Sequence, residues 1–158
     1  MTKPLTVADI APDFILPGDG AQDISLSDFA GQTLVLYFYP KDDTPGCTKQ
    51  AIAFSESLSS FTQANTIVVG VSKDSVKKHD KFKAKHQLKI RLAADEELNM
   101  LQSYGVWIEK SMYGRKYMGI ERSTFLIDGT GKIAQIWRKV KIPGHVDTVL
   151  AAAQELAG

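Results

Sequence analysis

The residue with the greatest capacity for chemistry in this sequence is Cys47, the only cysteine among 158 residues. It ends the segment PKDDTPGC, residues 40–47, in which Thr44 stands three residues before the sulfur. A thiol that ionises near pH 8.5 is only about 3% thiolate at neutral pH, and the thiolate is the species that attacks an electrophile. A nucleophilic Cys47 therefore needs groups that stabilise negative charge on its sulfur.

Two features of the sequence can supply that stabilisation. The turn residues KDDTPG lead into apolar residues at helical spacing, which predicts a helix beginning at or beside Cys47. A helix N-terminus stabilises a thiolate, but lowering a thiol pKa by about 2 units needs about 2.7 kcal/mol, more than a helix end usually supplies. Arg122, just before or within an apolar strand, is the candidate cation, because a charge there needs a partner or a functional reason.

The residues around the thiol predict a partly covered pocket. Ala51, Phe54 and Leu58 follow Cys47 on one helix face, so the cysteine begins a buried stripe. The Thr44 hydroxyl can both donate and accept hydrogen bonds to a small bound molecule. Such a pocket favours a small substrate over a large one.

Simpler interpretations exist for each of these residues. A single cysteine in an ordinary domain is more often a small buried hydrophobe than a catalyst. Arg122 could be a solvated charge at a strand edge, Thr44 could be no more than a helix cap, and Pro40 could be an ordinary turn residue. The position of Cys47 between turn and helix, together with Thr44, favours the reactive interpretation.

Strands and helices alternate along the chain that must position this site. Apolar or extended patterns are predicted at residues 34–39, 66–72, 90–94, 123–128 and 132–140, and helices at 47–61, 74–86, 96–104 and 145–156. A hairpin turn is predicted at 128–131, and residues 109–119 form the longest stretch without periodicity. These elements predict one α/β domain over residues 1–158, with a mixed central sheet flanked by helices, in the outline of a thioredoxin-like fold.

Composition limits the classes of function. With 19 basic and 18 acidic residues the net charge is +1, and the lysine-rich stretch 73–89 is interleaved with acidic residues, so no nucleic-acid partner is predicted. No signal peptide or apolar membrane span is present, and one cysteine excludes an internal disulfide framework, so a cytoplasmic protein without membrane association is predicted. The three histidines lack metal-ligand spacing and are predicted to be solvated surface residues: His79, His86 and His145.

The segment PKDDTPGCTKQA resembles the peroxiredoxin signature Pro-x-x-x-Thr-x-x-Cys, in the longer form of the bacterioferritin comigratory protein, or Q-type, subfamily. The resemblance extends through VGVSKDSVKKHDKF, YGVWIEKSMYGRKYMGIERSTFLIDGTGKI and WRKVKIPGH, nearly the whole chain. It implies a thioredoxin-dependent type of peroxidase acting on hydrogen peroxide and organic hydroperoxides, monomeric and without metal, haem or flavin cofactor. By position, Cys47 would be the peroxidatic cysteine, Thr44 and Arg122 would bind and polarise the peroxide, and Pro40 would shield the thiolate.

The sequence departs from the Q-type pattern at three positions. The resolving cysteine found in many members is replaced by Ile52, or by Lys83 for members that carry it in the later helix, and a usual glutamate is Gln50. Without a second thiol, oxidised Cys47 would need an external thiol such as thioredoxin, glutaredoxin or glutathione. An intermolecular disulfide between two Cys47 residues is the alternative, which is sterically unfavourable for a sulfur in a pocket.

Two other functions fit parts of the pattern. A thiol–disulfide oxidoreductase of the same fold would need Cys-x-x-Cys, and Thr44 occupies the first of those positions. A redox-sensing module would use the same cysteine once, without turnover. Sustained peroxide consumption in the presence of a thiol distinguishes the peroxidase from such a sensor.

Overall fold

A computed structural model describes residues 4–158, so residues 1–3 of the predicted domain lie outside the described residues. The strands are β1 (Ile15–Leu16), β2 (Ile24–Ser25), β3 (Thr33–Phe38), β4 (Thr66–Ser72), β5 (Arg91–Ala94), β6 (Trp107–Met112), β7 (Arg115–Ile120), β8 (Ser123–Ile127) and β9 (Ile133–Trp137). The α-helices are α1 (Pro45–Glu56), α2 (Leu58–Gln63), α3 (Val76–His86), α4 (Asn99–Ser103) and α5 (His145–Ala157). Within residues 4–158, every helix is too short or too polar to cross a lipid bilayer.

The centre of the molecule is a five-stranded sheet in the order β5-β4-β3-β8-β9. Strands β3, β4 and β5 are parallel, whereas β8 runs antiparallel to both β3 and β9. The parallel half follows from the strand–helix–strand connections, and the antiparallel half from the hairpin turn that was predicted at residues 128–131. The structure therefore confirms the predicted mixed sheet.

Alternate residues of β3 face the two sides of the sheet, and a hydrophobic cluster fills each side. Leu34, Leu36 and Phe38 pack in the cluster that includes Leu101 of α4. Val35, Tyr37 and Tyr39 pack in the other cluster, with side chains from α1, α3 and α5. Since Cys47 belongs to this second cluster, the site lies on the face covered by the longer helices.

The helix after Cys47 is shorter than the sequence predicts. A single helix over 47–61 was expected, but α1 ends at Glu56, and α2 begins after Ser57, whose φ of −94° and ψ of 4° leave the helical region. The serine-rich sequence SESLSS has weak helix propensity, because serine hydroxyls compete for backbone hydrogen bonds. Leu58, expected on the buried stripe, consequently lies in a different helix and is only half-buried.

Residues 109–119, which showed no periodicity, lie in a two-stranded arm. Strands β6 and β7 pair antiparallel around a turn at Tyr113 and Gly114, whose φ values are 52° and 77°. Two consecutive positive φ values are typical of a type I′ hairpin turn, which usually carries Asn-Gly. The first of these positions holds tyrosine instead of asparagine, so the sequence lacks the usual turn signal. Most side chains of the arm are exposed on both faces, so polar and apolar residues do not alternate along it.

Gly70 in β4 is required by the ring of Tyr37 on the neighbouring strand. A Cβ at position 70 would lie 2.7 Å from Tyr37 Cζ and 2.8 Å from its hydroxyl oxygen. We expect Gly70→Ala to lower the free energy of unfolding by about 1–3 kcal/mol, because the buried ring has little room to shift. Urea denaturation measures this loss.

Tyr37→Phe provides the matched control for that prediction. The Tyr37 hydroxyl is buried without a hydrogen-bond partner among the described residues, so its removal alone is expected to be neutral or stabilising. In the double variant it should recover part of the stability lost through Gly70→Ala. A urea midpoint for Gly70→Ala equal to that of the unchanged protein would contradict this account of the contact.

Candidate active site

The turn between β3 and α1 places Cys47 in the first turn of the helix. Thr44 is the N-cap, Pro45 occupies the first helical position, and the first intrahelical hydrogen bond near the thiol runs from Thr48 N to Thr44 O at 2.9 Å. Proline is suited to that position, because its fixed φ is helical and it has no N–H to leave unpaired. The predicted start of the helix beside Cys47 is confirmed, and the thiol lies where the positive end of the helix dipole acts.

Arg122 approaches the sulfur directly. Its Nη2 donates a hydrogen bond to Cys47 Sγ at 3.3 Å, and its Nη1 donates to Gln50 Oε1 at 2.6 Å. Arg122 lies in the two-residue connection between β7 and β8, and its carbonyl accepts a hydrogen bond from Val140 N at 2.9 Å. The backbone of Arg122 and both terminal nitrogens of its guanidinium are therefore held in place, and the positive charge lies beside the Cys47 sulfur.

Gly46 has a steric role at the start of α1. A Cβ built on Gly46 would lie 3.1 Å from Ile142 Cδ1 and 3.5 Å from Arg122 Nη2. The missing side chain therefore leaves room for the segment that contains Ile142, whereas the distance to Arg122 is that of an ordinary van der Waals contact. Pro45 and Gly46 therefore do more than form a turn, since Pro45 begins α1 and Gly46 admits Ile142.

Cys47 is buried, with 2% of its surface exposed, and is a free cysteine. Ala51 and Phe54 continue its buried face along α1, as the spacing predicted, and Phe54 stacks on Tyr37 with ring centroids 4.6 Å apart. Burial raises the pKa of Tyr37 well above its ordinary value, and negative charge at Cys47 acts in the same direction. The sulfur thus lies in a pocket with one apolar wall and one cationic wall.

Thr44 and Pro40 lie in the same turn as the thiol. The Thr44 hydroxyl donates to Lys41 O at 2.9 Å and makes no capping bond to the helix, so the simple capping role is not what the structure shows. Because its hydrogen is used there, the oxygen lone pairs remain available to accept a hydrogen bond from a bound molecule. Pro40 is half-buried and directly follows the buried Tyr39 at the end of β3.

Gln50 and Lys110 also belong to this region, and the sequence did not assign them to it. Gln50 is fully buried, and its Nε2 has no hydrogen-bond partner within residues 4–158. Partial burial lowers the pKa of Lys110 in β6, and the charge of Arg122 lowers it further. No local pattern reveals either residue, because both act across elements; the family glutamate at position 50 was the only available hint.

The prediction that all three histidines are solvated is wrong for two of them. His79 is fully buried, with Nδ1 2.7 Å from Asp42 Oδ2, and His145 is 7% exposed. His86 is partly exposed and contacts Asp43. A histidine can be buried where hydrogen-bonding partners meet both its nitrogens, and those partners are distant in sequence.

His145 gives the fold a pH dependence. Its Nε2 lies 2.8 Å from Thr124 Oγ1, and its pKa is lowered to about 4, mainly by burial and secondly by the charge of Arg122. In the unfolded chain a histidine ionises near pH 6.5, so below that pH the unfolded state binds a proton that the folded state does not. The contribution of His145 to the free energy of unfolding is therefore fully present above about pH 6.5 and is lost as the pH falls toward 4.

We expect the free energy of unfolding to drop by about 1–2 kcal/mol between about pH 7.5 and about pH 5 through His145, after allowing for solvent screening. His145→Gln keeps a polar atom near Thr124 but does not titrate, so its urea midpoint should fall less over that range. The same pH slope in both proteins would show that His145 is not the group responsible.

Comparison with known proteins identifies the family. Residues 7–136 match the model of the AhpC/TSA family. The chain is 48% identical over 146 residues to a putative peroxiredoxin Bcp of Coxiella burnetii, covering 92% of this chain and 97% of that protein. This chain belongs to the AhpC/TSA family. Within it, the chain is a peroxiredoxin of the bacterioferritin comigratory protein, or Q-type, group, and this group consists of thiol peroxidases.

Solved structures of Q-type peroxiredoxins share the fold. The Xylella fastidiosa PrxQ C47S mutant superimposes with a TM-score of 0.93 at 40% identity, covering 99% of this chain and 100% of that one. The Xanthomonas campestris bacterioferritin comigratory protein has a TM-score of 0.88 at 44% identity, with 92% of each chain covered. The thioredoxin-like, single-domain fold predicted from the sequence is confirmed for this peroxiredoxin.

The cysteine content separates this peroxiredoxin from its Xanthomonas relative. That relative has been solved with serine in place of each of two different cysteines. This chain has Cys47 alone. The predicted membership of the Q-type group, without the usual resolving cysteine, is confirmed.

Proposed function

We propose that this peroxiredoxin reduces hydrogen peroxide and organic hydroperoxides through a sulfenic acid on Cys47, and that an external thiol regenerates it. The observation that carries the proposal is the 3.3 Å contact between Arg122 Nη2 and Cys47 Sγ, in the first turn of α1. A half-buried guanidinium directed at a buried sulfur brings no benefit to a neutral core cysteine. It is favourable where negative charge forms on the sulfur and on a bound peroxide.

In the first half-reaction the thiolate attacks the outer oxygen of the hydroperoxide. The O–O bond breaks, a new S–O bond forms, and the leaving oxygen takes a proton from solvent, equivalent to the one that the thiol released on ionising, to become water or an alcohol. Arg122 stabilises the charge that moves onto the leaving oxygen, and the Thr44 hydroxyl accepts a hydrogen bond from the peroxide. Pro40 limits water at the thiolate, and Cys47 holds the oxygen as a sulfenic acid.

In the second half-reaction an external thiol attacks the sulfenic sulfur, releasing water and forming a mixed disulfide. A second external thiol then attacks the outer sulfur of that disulfide, returning Cys47 to its reduced form and leaving a disulfide of the reductant. Thioredoxin, glutaredoxin and glutathione are the candidate donors. Positions 52 and 83, where relatives carry a second cysteine, hold isoleucine and lysine, so the one-cysteine route is the one available inside a monomer.

The substrate range is proposed to include alkyl hydroperoxides. The Xanthomonas relative is described as having alkyl peroxide reduction activity. In this chain Ile142 lies beside Gly46 at the start of α1, which gives the site an apolar side. We expect the protein to consume tert-butyl hydroperoxide as well as hydrogen peroxide. We also propose that it acts as a monomer and in the cytoplasm.

The test is steady-state peroxide consumption with thioredoxin, glutaredoxin and glutathione systems supplied in turn. We expect sustained turnover with at least one donor, and mass spectrometry of the intact oxidised protein should show monomer with one added oxygen or one mixed disulfide. A disulfide dimer through Cys47 as the main oxidised species would overturn the one-cysteine route. A single modification without turnover would favour the sensor instead.

A further inference from the structure

A buried polar cluster lies between the Cys47 turn and α3, and the chemistry above does not use it. Asp42, in the turn between β3 and α1, accepts a hydrogen bond from the Tyr39 hydroxyl at 2.6 Å through Oδ1. Its Oδ2 lies 2.7 Å from Nδ1 of His79 on α3, and the two side chains are 6% and 0% exposed. The turn is thus joined to a helix 37 residues away by a buried pair.

The partners of His79 fix where its protons lie. Nε2 is 2.9 Å from the carbonyl oxygen of Ala93, which can only accept, so Nε2 carries a hydrogen. Nδ1 faces Asp42 Oδ2, and one further proton lies between these two atoms. Both nitrogens of the ring are satisfied, so removing either contact leaves a buried group unpaired.

The backbone of the turn is held at the same place. Asp42 N donates to Asp74 Oδ2 at 2.8 Å, and Ser72 Oγ donates to the same oxygen at 2.8 Å. The next residue, Asp43, has a φ of 60°, a left-handed conformation that a residue with a side chain adopts at a cost. Surrounding contacts must maintain that strain, and the buried pair is one of them, beside the contacts of Asp43 with Lys85 and His86. Loss of the pair therefore weakens the hold on the turn and on the residues that follow.

Those residues include Cys47, which is 2% exposed in the held arrangement. Hydrogen peroxide is small and needs only a small opening beside the sulfur, whereas a bulky thiol or disulfide reagent needs a wide one. The first turn of α1 must therefore move before such a reagent can react. The position of the turn decides which of the two kinds of molecule reaches the sulfur.

We propose that His79, acting through Asp42, is a positioning residue that holds the Cys47 turn in its peroxide-reactive arrangement and restricts access of bulky thiol and disulfide reagents to the sulfur. The peroxide part of this inference rests on the proposed function, and the access part does not. Weakening the pair slows the reaction with peroxide and speeds the reaction with bulky reagents. The same substitution therefore has opposite effects on two reactions of one sulfur.

Two substitutions of His79 separate the contacts. In His79→Asn the amide nitrogen takes the place of Nδ1 and keeps the bond to Asp42, whereas in His79→Gln it takes the place of Nε2 and keeps only the bond to Ala93. Stopped-flow measures the single reaction of each reduced protein with hydrogen peroxide. Absorbance follows the reaction with dithiobis(nitrobenzoate), in which Cys47 displaces one aromatic thiolate to form a mixed disulfide.

We expect His79→Gln to lose about 10- to 100-fold in the peroxide rate constant and to gain a similar factor with the aromatic disulfide, because the buried group that loses its partner is then Asp42, in the Cys47 turn itself. His79→Asn leaves the Ala93 carbonyl in β5 without its partner but keeps the contact with the turn, so both rate constants should stay within about threefold of those of the unchanged protein. Leu101→Ala, in the core on the opposite face of the sheet, is the control for general loss of stability and should not reproduce the opposite changes.

Unchanged rates in His79→Gln, or changes equal to those of Leu101→Ala at matched stability, would overturn the proposal. If His79→Gln does not fold, Asp42→Asn makes the same comparison from the other side of the pair. If the unchanged protein reacts with peroxide no faster than a free thiol, the proposed function fails. The reaction with the aromatic disulfide then still tests whether His79 restricts access to Cys47.

Discussion

Serine in place of Cys47 is expected to reduce hydroperoxide consumption to the uncatalysed background, a loss of roughly 10⁴-fold or more, as for other enzymes that lose a nucleophile. The hydroxyl has nearly the size of the thiol, but it does not ionise near neutral pH and has no oxidation chemistry with peroxide. The buried pocket of Ala51 and Phe54 should accept it without rearrangement.

A coupled assay with a thiol donor measures this loss, and mass spectrometry after peroxide treatment should show added oxygen only in the protein that contains Cys47. The urea midpoint of Cys47→Ser serves as the control that the fold is intact. Substantial turnover by a folded Cys47→Ser protein would mean that the chemistry is located elsewhere in the chain.

Removing the guanidinium of Arg122 is expected to have the second largest effect. Arg122→Gln should lower the rate constant for peroxide by about 10²–10³-fold, the range for loss of a preorganised donor at a developing charge. Arg122→Lys should lose about tenfold, because an ammonium keeps the charge but cannot contact Cys47 Sγ and Gln50 Oε1 together as the planar fork does.

Single-turnover mixing of the reduced variants with hydrogen peroxide gives these rate constants. Arg115→Gln is the matched control, since Arg115 is an exposed arginine at the start of β7 and should matter by less than about twofold. Equal effects of the two glutamine substitutions would show that net charge matters and that the contact with the sulfur does not.

Much of the site followed from the sequence because its signals are local. The apolar run before Pro40, the turn residues and the spacing of Ala51 and Phe54 all lie within residues 34–54, and together they place Cys47 at a helix start. Arg122 was recognisable as a charge beside an apolar strand. Its partner could be named because Cys47 is the only cysteine in the sequence, and a reactive thiol needs a nearby cation.

The parts that the sequence did not reveal depend on contacts between distant elements. The burial of His79 requires Asp42 and the carbonyl of Ala93, which reach it only after the sheet and α3 have packed. The arm of β6 and β7 carries polar residues on both faces, so its pairing has no hydrophobic period to indicate it. Hydrogen bonds and burial at such positions are properties of the assembled fold.

The central claim, that Cys47 is an activated nucleophile toward peroxide, is tested most directly by one rate constant. Stopped-flow mixing of the fully reduced protein with hydrogen peroxide, without any thiol donor, should give a second-order rate constant in the enzyme range of about 10⁴–10⁸ M⁻¹s⁻¹. A rate constant equal to that of free cysteine at the same pH would contradict the account, and Cys47 would then be a buried structural residue beside Arg122.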